Sequence, residues 1–224
     1  MYYNLNAGNP TARAYEPDLS RLAVSDTTSK NTSLRLTWQA TPRNKVNVFW
    51  DEQRTCIACF GGGSATISPE AADGTTHMDH TRSASVTWTS PVSNRLLVEA
   101  RMGMVGFLYG REREGNNRNM PRITDQAGLI PGLTFGSMTW QRNSSVTPRW
   151  TASATYVTGA HNIKVGMDGF ALILKRTYSG NDLGLNYRLS NGVPNQFTIF
   201  VNDFRVDNTT NSFATYVQDQ STFG

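Results

Sequence analysis

The sequence predicts an all-β chain, an antiparallel up-and-down sheet of about seven long strands. Three observations predict it. Apolar and polar residues alternate with a period of two in segment after segment, the helical period is almost absent, and short and long connections alternate along the chain. Composition agrees. Apolar residues make up 38% of the 224 and charged residues 17%, leaving an unusual share of Thr, Ser, Asn, Gln and Gly. That mixture suits strands with one apolar and one polar face, joined by polar loops.

Each segment shows its two faces. In 33–41, Leu34, Leu36, Trp38 and Ala40 oppose Ser33, Arg35, Thr37 and Gln39. In 45–54, Val46, Val48 and Trp50 oppose Lys45, Asn47 and Asp51. In 82–90, Ala84, Val86 and Trp88 alternate with Ser83, Ser85, Thr87 and Thr89. Segment 95–109 sets Leu96, Val98, Ala100, Met102 and Met104 against Arg95, Glu99 and Arg101. In 149–158 and 162–177 the apolar sets are Trp150, Ala152, Ala154, Tyr156 and Ile163, Val165, Met167. A last, less regular strand is expected in 212–220.

The connections decide the architecture. Thr41-Pro42-Arg43-Asn44, Pro91-Val92-Ser93-Asn94 and Gly159-Ala160-His161-Asn162 are turn sequences, whereas 55–80, 110–147 and 178–211 are long. In an up-and-down sheet all short turns then lie at one rim and all long loops at the other, the asymmetry of outer-membrane barrels. The third long connection carries its own strand pair, 185–189 and 196–201, around Asn191-Gly192, a strong hairpin signal.

The aromatic residues recur at one depth. Trp38 lies four residues before Pro42, Trp88 three before Pro91 and Tyr156 three before Gly159, each on the apolar face. Rings with an apolar body and a polar tip belong at a membrane–water interface, so these three are the candidate girdle of the short-turn (periplasmic) rim. The alternative is a set of core aromatics in a soluble sandwich. The fold expected is thus a partial transmembrane antiparallel up-and-down β-barrel with short periplasmic turns and long extracellular loops. Residues 1–32 would be the end of a preceding extracellular loop and 33–224 the barrel segment, without a plug. The start Met1-Tyr2-Tyr3-Asn4 has neither a basic nor an apolar stretch of a secretory leader, and seven strands leave two edges unpaired. Both features lead to the expectation that the chain is a slice of a larger protein.

Chemistry is sparse. No nucleophile elbow, phosphate loop or HExxH occurs, and the chain is expected not to be an enzyme. Asp51 and Glu99 could form an acid pair but read better as ordinary polar-face charge. His77-Met78-Asp79-His80 is metal-like in composition, yet loop histidines are usually solvated. Cys56 and Cys59 form a Cys-x-x-Cys pair before Phe60-Gly61-Gly62-Gly63. A loop disulfide is favoured over free thiols, a zinc half-site or a redox centre, because glycines there oppose the helix a thioredoxin-type centre needs. No cofactor or metal is expected. The net charge of +4 comes from scattered Lys and Arg, so no nucleic-acid partner is expected.

Several stretches resemble TonB-dependent receptors of the Oar-like group, whose full-length members carry a carboxypeptidase-regulatory-like domain. They are Ser33-Leu34-Arg35-Leu36-Thr37-Trp38-Gln39-Ala40-Thr41-Pro42 with Asn44-Lys45, the run from Tyr156 to Gly166, Asn191-Gly192-Val193-Pro194-Asn195-Gln196, and Tyr216-Val217-Gln218-Asp219-Gln220. The resemblance implies a barrel of about 22 strands with an internal plug. It also implies a place in the outer membrane of a Gram-negative bacterium, the TonB complex as a partner acting through the plug, and uptake of a nutrient substrate. A passive porin-like channel and a soluble β-sandwich module, carbohydrate-binding or adhesive, are the alternatives.

Overall fold

Alternation of Cβ directions is what makes this sheet two-faced, and the paired register carries it across seven strands, with irregularities at Gln39–Thr41, Gln53–Thr55 and Met78–His80 near the strand ends. The computed structural model describes residues 1–224 except Ser25, 58–61, 73–75, 112–116, 202 and 222–224, and the side chains of 76–79 and 111. Two short strands, β1 (Tyr2–Asn4) and β2 (Pro17–Leu22), precede β3 (Thr27–Thr41) and β4 (Asn44–Ile57). Next come β5 (Thr76–Pro91), β6 (Leu96–Arg111) and two short strands, β7 (Arg122–Asp125) and β8 (Leu133–Gly136). Then follow β9 (Trp140–Thr158), β10 (His161–Ser179), β11 (Leu185–Ser190), β12 (Val193–Ile199) and β13 (Phe204–Ser221).

Three sheets result. The largest has the order β13-β10-β9-β6-β5-β4-β3, an antiparallel meander of the long strands. A second joins β12-β11-β7-β8, and β1 pairs with β2. The chain is all-β among the described residues, as the alternation predicts. The large sheet is open there, with β3 and β13 at its edges.

Register keeps like with like. One row runs Leu36, Val48, Val86, Met102, Trp150, Gly169 and Phe213. The next row toward the short turns runs Trp38, Val46, Trp88, Ala100, Ala152 and Met167. A slip of one residue would send each of these side chains to the other face. The face so formed is not covered. Leu36 is 54% exposed, Val86 46% and Met102 67%, whereas Val98 and Ala154 are half-buried by their neighbours in the sheet. The buried apolar cluster lies elsewhere, in the four-stranded sheet, where Ile123, Leu133, Phe135 and Leu189 pack together.

The strands are longer than the alternation alone outlines. β3 begins at Thr27, β9 at Trp140 and β13 at Phe204. The extension of β3, Thr27-Thr28-Ser29-Lys30-Asn31-Thr32, is polar on both faces, and those of β9 and β13 are mostly polar, so no sustained period-two signal marks them. They all lie toward the long loops. At the other rim the hairpins are tight, with Pro42-Arg43 between β3 and β4 and Gly159-Ala160 between β9 and β10. The turns are staggered. Lys45 pairs with Thr89 and β5 runs on to Pro91; Leu96 pairs with Tyr156 and β9 runs on to Thr158. Each hairpin therefore hangs beyond its predecessor, the stagger that tilted strands require.

On the polar face β10 and β13 meet closely at Gly166. A Cβ built there would lie 2.5 Å from the Tyr216 ring, which covers the glycine opposite it. Gly166→Ala should force the ring aside and cost about 1–3 kcal/mol, seen as a lower thermal unfolding midpoint. Adding Tyr216→Ser should recover part of the loss.

Candidate functional site

Long connections in an up-and-down sheet converge on one rim, and here they fold into a layer with its own core. β7 and β11 come from the second and third long connections and pair in parallel, Ile123 facing Tyr187 and Asp125 facing Leu189. β8 pairs with β7, and residue 67 from the first long connection bridges to Thr134. Hydrogen bonds extend the join: Ser68 N donates to Thr134 O at 2.9 Å, and Thr134 N to Thr66 O at 2.7 Å. The Arg118–Asp182 ion pair at 3.3 Å ties the second connection to the third. The amide of Asn4 donates to Glu70 Oε2 at 3.3 Å, binding the β1–β2 hairpin to the same layer.

The β11–β12 hairpin turns on Asn191 and Gly192, with φ of 53° and 78°. Two successive positive φ values define a type I′ turn, which favours Asn-Gly. Asp125 holds this turn: its carboxylate accepts from the amides of Asn191 and Gly192, both at 2.9 Å, and from Ala127 at 3.2 Å.

A cavity of about 630 Å³ opens between the β1–β2 hairpin and this layer. Its walls are mainly apolar, with Tyr15, Ile130, Leu133, Phe135 and Leu189 on the inside and Leu19 and Leu129 near the mouth. Tyr15 donates to Tyr2 O at 2.8 Å and leans on Phe135 at 6.2 Å. Burial, reinforced by the Glu70 carboxylate, holds the Tyr15 phenol above its usual value of 10.0, so at neutral pH it is an uncharged donor. Arg13 flanks the opening and lies 5.2 Å from the Tyr187 ring. Such a cavity can hold an apolar or aromatic group while leaving polar parts of a ligand in water. Neither the cavity nor β1, β2, β7 and β8 was foreseen from the sequence. Their strands are only three to six residues long, too short for a periodic signal.

A second hollow, about 520 Å³, lies on the large sheet and includes Ser85, Arg101, Arg149, Thr151, Asp168 and Tyr216 from its polar face. Not every side chain on that face is polar. Arg35 lies 5.6 Å from the Phe49 ring, and Arg149 5.6 Å from Phe170, so guanidinium groups accompany the rings. Asp51 accepts from Asn31 at 3.1 Å, and Glu99 lies 4.0 Å from Lys164. Each carboxylate thus has a partner of its own.

Trp38 and Trp88 share one row through Val46, and Tyr156 lies two rows further out, beside Leu96 and Ile163. Measured from its own strand end the depth recurs: Thr41, Pro91 and Thr158 follow by three, three and two residues. The indole N–H of Trp88 donates to Asn44 Oδ1 at 2.9 Å, so its polar edge points at the first short turn. Cys56 stands near the long-loop end of β4, opposite Thr28, and is disulfide-bonded. Cys59 lies outside the described residues, as do the side chains of His77, Met78 and Asp79. His80 is described, with Nδ1 2.9 Å from Glu52 Oε1.

Ile123 is fully buried at the centre of the loop layer. Ile123→Ala should cost that layer about 2–5 kcal/mol. Hydrogen exchange should then quicken at the amides of β7 and β11 while β9 and β10 keep their protection.

No known protein family and no curated protein matches the sequence. Among solved structures the chain is similar to the outer membrane transporter YddB from Escherichia coli, with a TM-score of 0.54 at 10% identity. The match covers 88% of this chain and 26% of the transporter. The chain therefore has the fold of part of that protein and spans about a quarter of its length.

Proposed function

We propose that this chain is a stretch of the wall of an outer-membrane receptor of the TonB-dependent kind, with an extracellular recognition layer folded from its long loops. The uncovered apolar face carries the reading. Seven strands present a continuous apolar surface that no other layer of the chain meets among the described residues. In water such a surface is a liability, whereas against lipid tails it is the stable arrangement. The strands are long enough, at 14 to 19 residues against the roughly 9–11 that a tilted membrane strand needs.

In this reading Trp38, Trp88 and Tyr156 form the periplasmic girdle, the polar face looks into the lumen, and a Cys56–Cys59 bridge closes a small extracellular loop. Substrate first meets the loop layer and its apolar cavity. The protein moves a nutrient across the outer membrane of a Gram-negative bacterium and catalyses no reaction. Energy comes from the TonB complex through a plug contributed by the rest of the receptor. The similarity to part of an outer membrane transporter supports the transport reading, and the resemblance of the hairpin sequences supports the TonB-dependent kind.

The full-length protein should fractionate with the outer membrane, need detergent for extraction and change gel mobility on heating. It should also retain purified TonB periplasmic domain. Recovery as a water-soluble monomer would favour a sandwich module, and a membrane barrel that ignores TonB would favour a passive channel. Position matters as well. Val86→Arg, on the apolar face, should cost about 2–4 kcal/mol and deplete the folded form. Thr87→Arg, one residue along on the polar face, should be tolerated in the same gel assay.

A further inference from the structure

The four-stranded sheet of the loop layer has two edges, and they differ. At β8, Thr134 exchanges backbone hydrogen bonds with Thr66 and Ser68, so the first long connection closes that edge. At the other edge β12 pairs with β11 alone among the described residues. Alternate residues of β12 therefore turn their N–H and C=O groups outward. Exposed edges are usually blunted by charged side chains, Lys above all. Val193-Pro194-Asn195-Gln196-Phe197-Thr198-Ile199 carries no charge, and its Pro194 stands beside the turn, leaving the rest of the edge open.

Register carries an apolar row to this edge. Phe135 lies opposite Ile123, Ile123 opposite Tyr187, and Tyr187 opposite Phe197. Residues opposite one another share a face of the sheet. Cover thins along the row. Tyr15 leans on Phe135, Ile123 is fully buried, Arg13 lies 5.2 Å from the Tyr187 ring, and Phe197 is 62% exposed. Ile199, two residues along on the same face, is equally exposed. Arg13 donates to the carbonyls of Pro10 and Ala12, at 2.6 and 3.1 Å, and no carboxylate pairs with it among the described residues. Asp125, the other charged residue of the cavity wall, is held by the turn amides. Gly192, at the turn end of β12, belongs to the same wall.

We propose that β12 is a docking edge for an extended peptide, which adds to the sheet as a fifth strand and brings a carboxylate to Arg13. That the peptide is cargo rests on the receptor reading above; that the edge binds it does not. Three features specify the occupant. The open edge asks for a ladder of backbone N–H and C=O groups, which a sugar or a compact chelate does not offer. The exposed end of the row, Phe197 and Ile199, asks for apolar side chains on alternate residues. Arg13 asks for an acidic group on that same face. A second copy of this chain joined through β12 would meet the first two demands and fail the third, because β12 has no acidic residue.

The test uses full-length protein in neutral detergent. The probe is a fluorescein-labelled, C-terminally amidated peptide, Thr-Val-Thr-Glu-Thr-Phe-Thr, matched to the 7 residues of β12. Fluorescence anisotropy reads its binding. Two further versions carry N-methyl groups on alternate amides. One set of amides faces β12 and the other faces water. One methylated peptide should therefore bind about tenfold more weakly or worse, and the other like the parent. F197S should weaken the parent about tenfold. R13Q should weaken it about fivefold while leaving a peptide with Gln in place of Glu unaffected. Heat-modifiable mobility reports folding of both variants, and the methylated pair needs no variant. Absence of saturable binding, equal binding of the two methylated peptides, or an equal effect of R13Q on the Glu and Gln peptides would overturn the proposal. So would a wild type that ignores the peptide and forms dimers lost in F197S, which would assign the edge to a second copy. Solubility without detergent would instead overturn the wall reading, with peptide binding still deciding the docking edge.

Discussion

A sheet whose two faces require different surroundings tolerates only one register, and that constraint organises the whole molecule. Because side chains alternate, the choice at Leu36 is also the choice at Trp38 and Leu34. Cross-strand pairing then passes it to Val48, Val86 and Met102. The hydrogen-bond ladder alone would accept other offsets. The segregation of Leu, Val, Met and Trp from Thr, Ser, Asn and Arg removes them, and the large sheet needs no core of its own to be specified.

The loop layer obeys a different rule. Ile123, Leu133, Phe135 and Leu189 come together from three short strands and are shielded from water in the ordinary way of a soluble fold. The chain thus contains two kinds of order. A wall is determined by which face each residue takes, and a cap is determined by three-dimensional packing. Trp140 marks the change: it begins β9, yet it is buried, whereas Trp150 further along the same strand belongs to the apolar side of the wall.

This division explains what the sequence made legible. The seven long strands, their order of connection and the tight turns at one rim were readable, because period-two patterning is local and Pro42 and Gly159 punctuate it. The polar start of β3 was not, since a strand with two polar faces has no alternation to show, and the starts of β9 and β13 carry too few apolar residues to sustain one. The Asn191-Gly192 hairpin was readable from its turn residues, but not its parallel partner β7, which lies 60 residues away and is chosen by packing. The apolar cavity was hidden for the same reason: Tyr15, Ile130 and Leu189 have no common spacing. The aromatic positions were visible as residues at equal distance from turns, whereas the stagger that sets them on different rows appears only once register is known.

The pairing of β7 with β11, joined by the bridge at Thr134 and the Arg118–Asp182 contact, makes the long connections one unit. In an ordinary barrel each outer loop can lengthen, shorten or be exchanged on its own. Here a deletion in one would strip a partner strand from another. Diversification of this layer would have to proceed by exchanging the whole cassette or by altering rim positions such as Leu129, and a graft onto another scaffold would have to carry all three connections together.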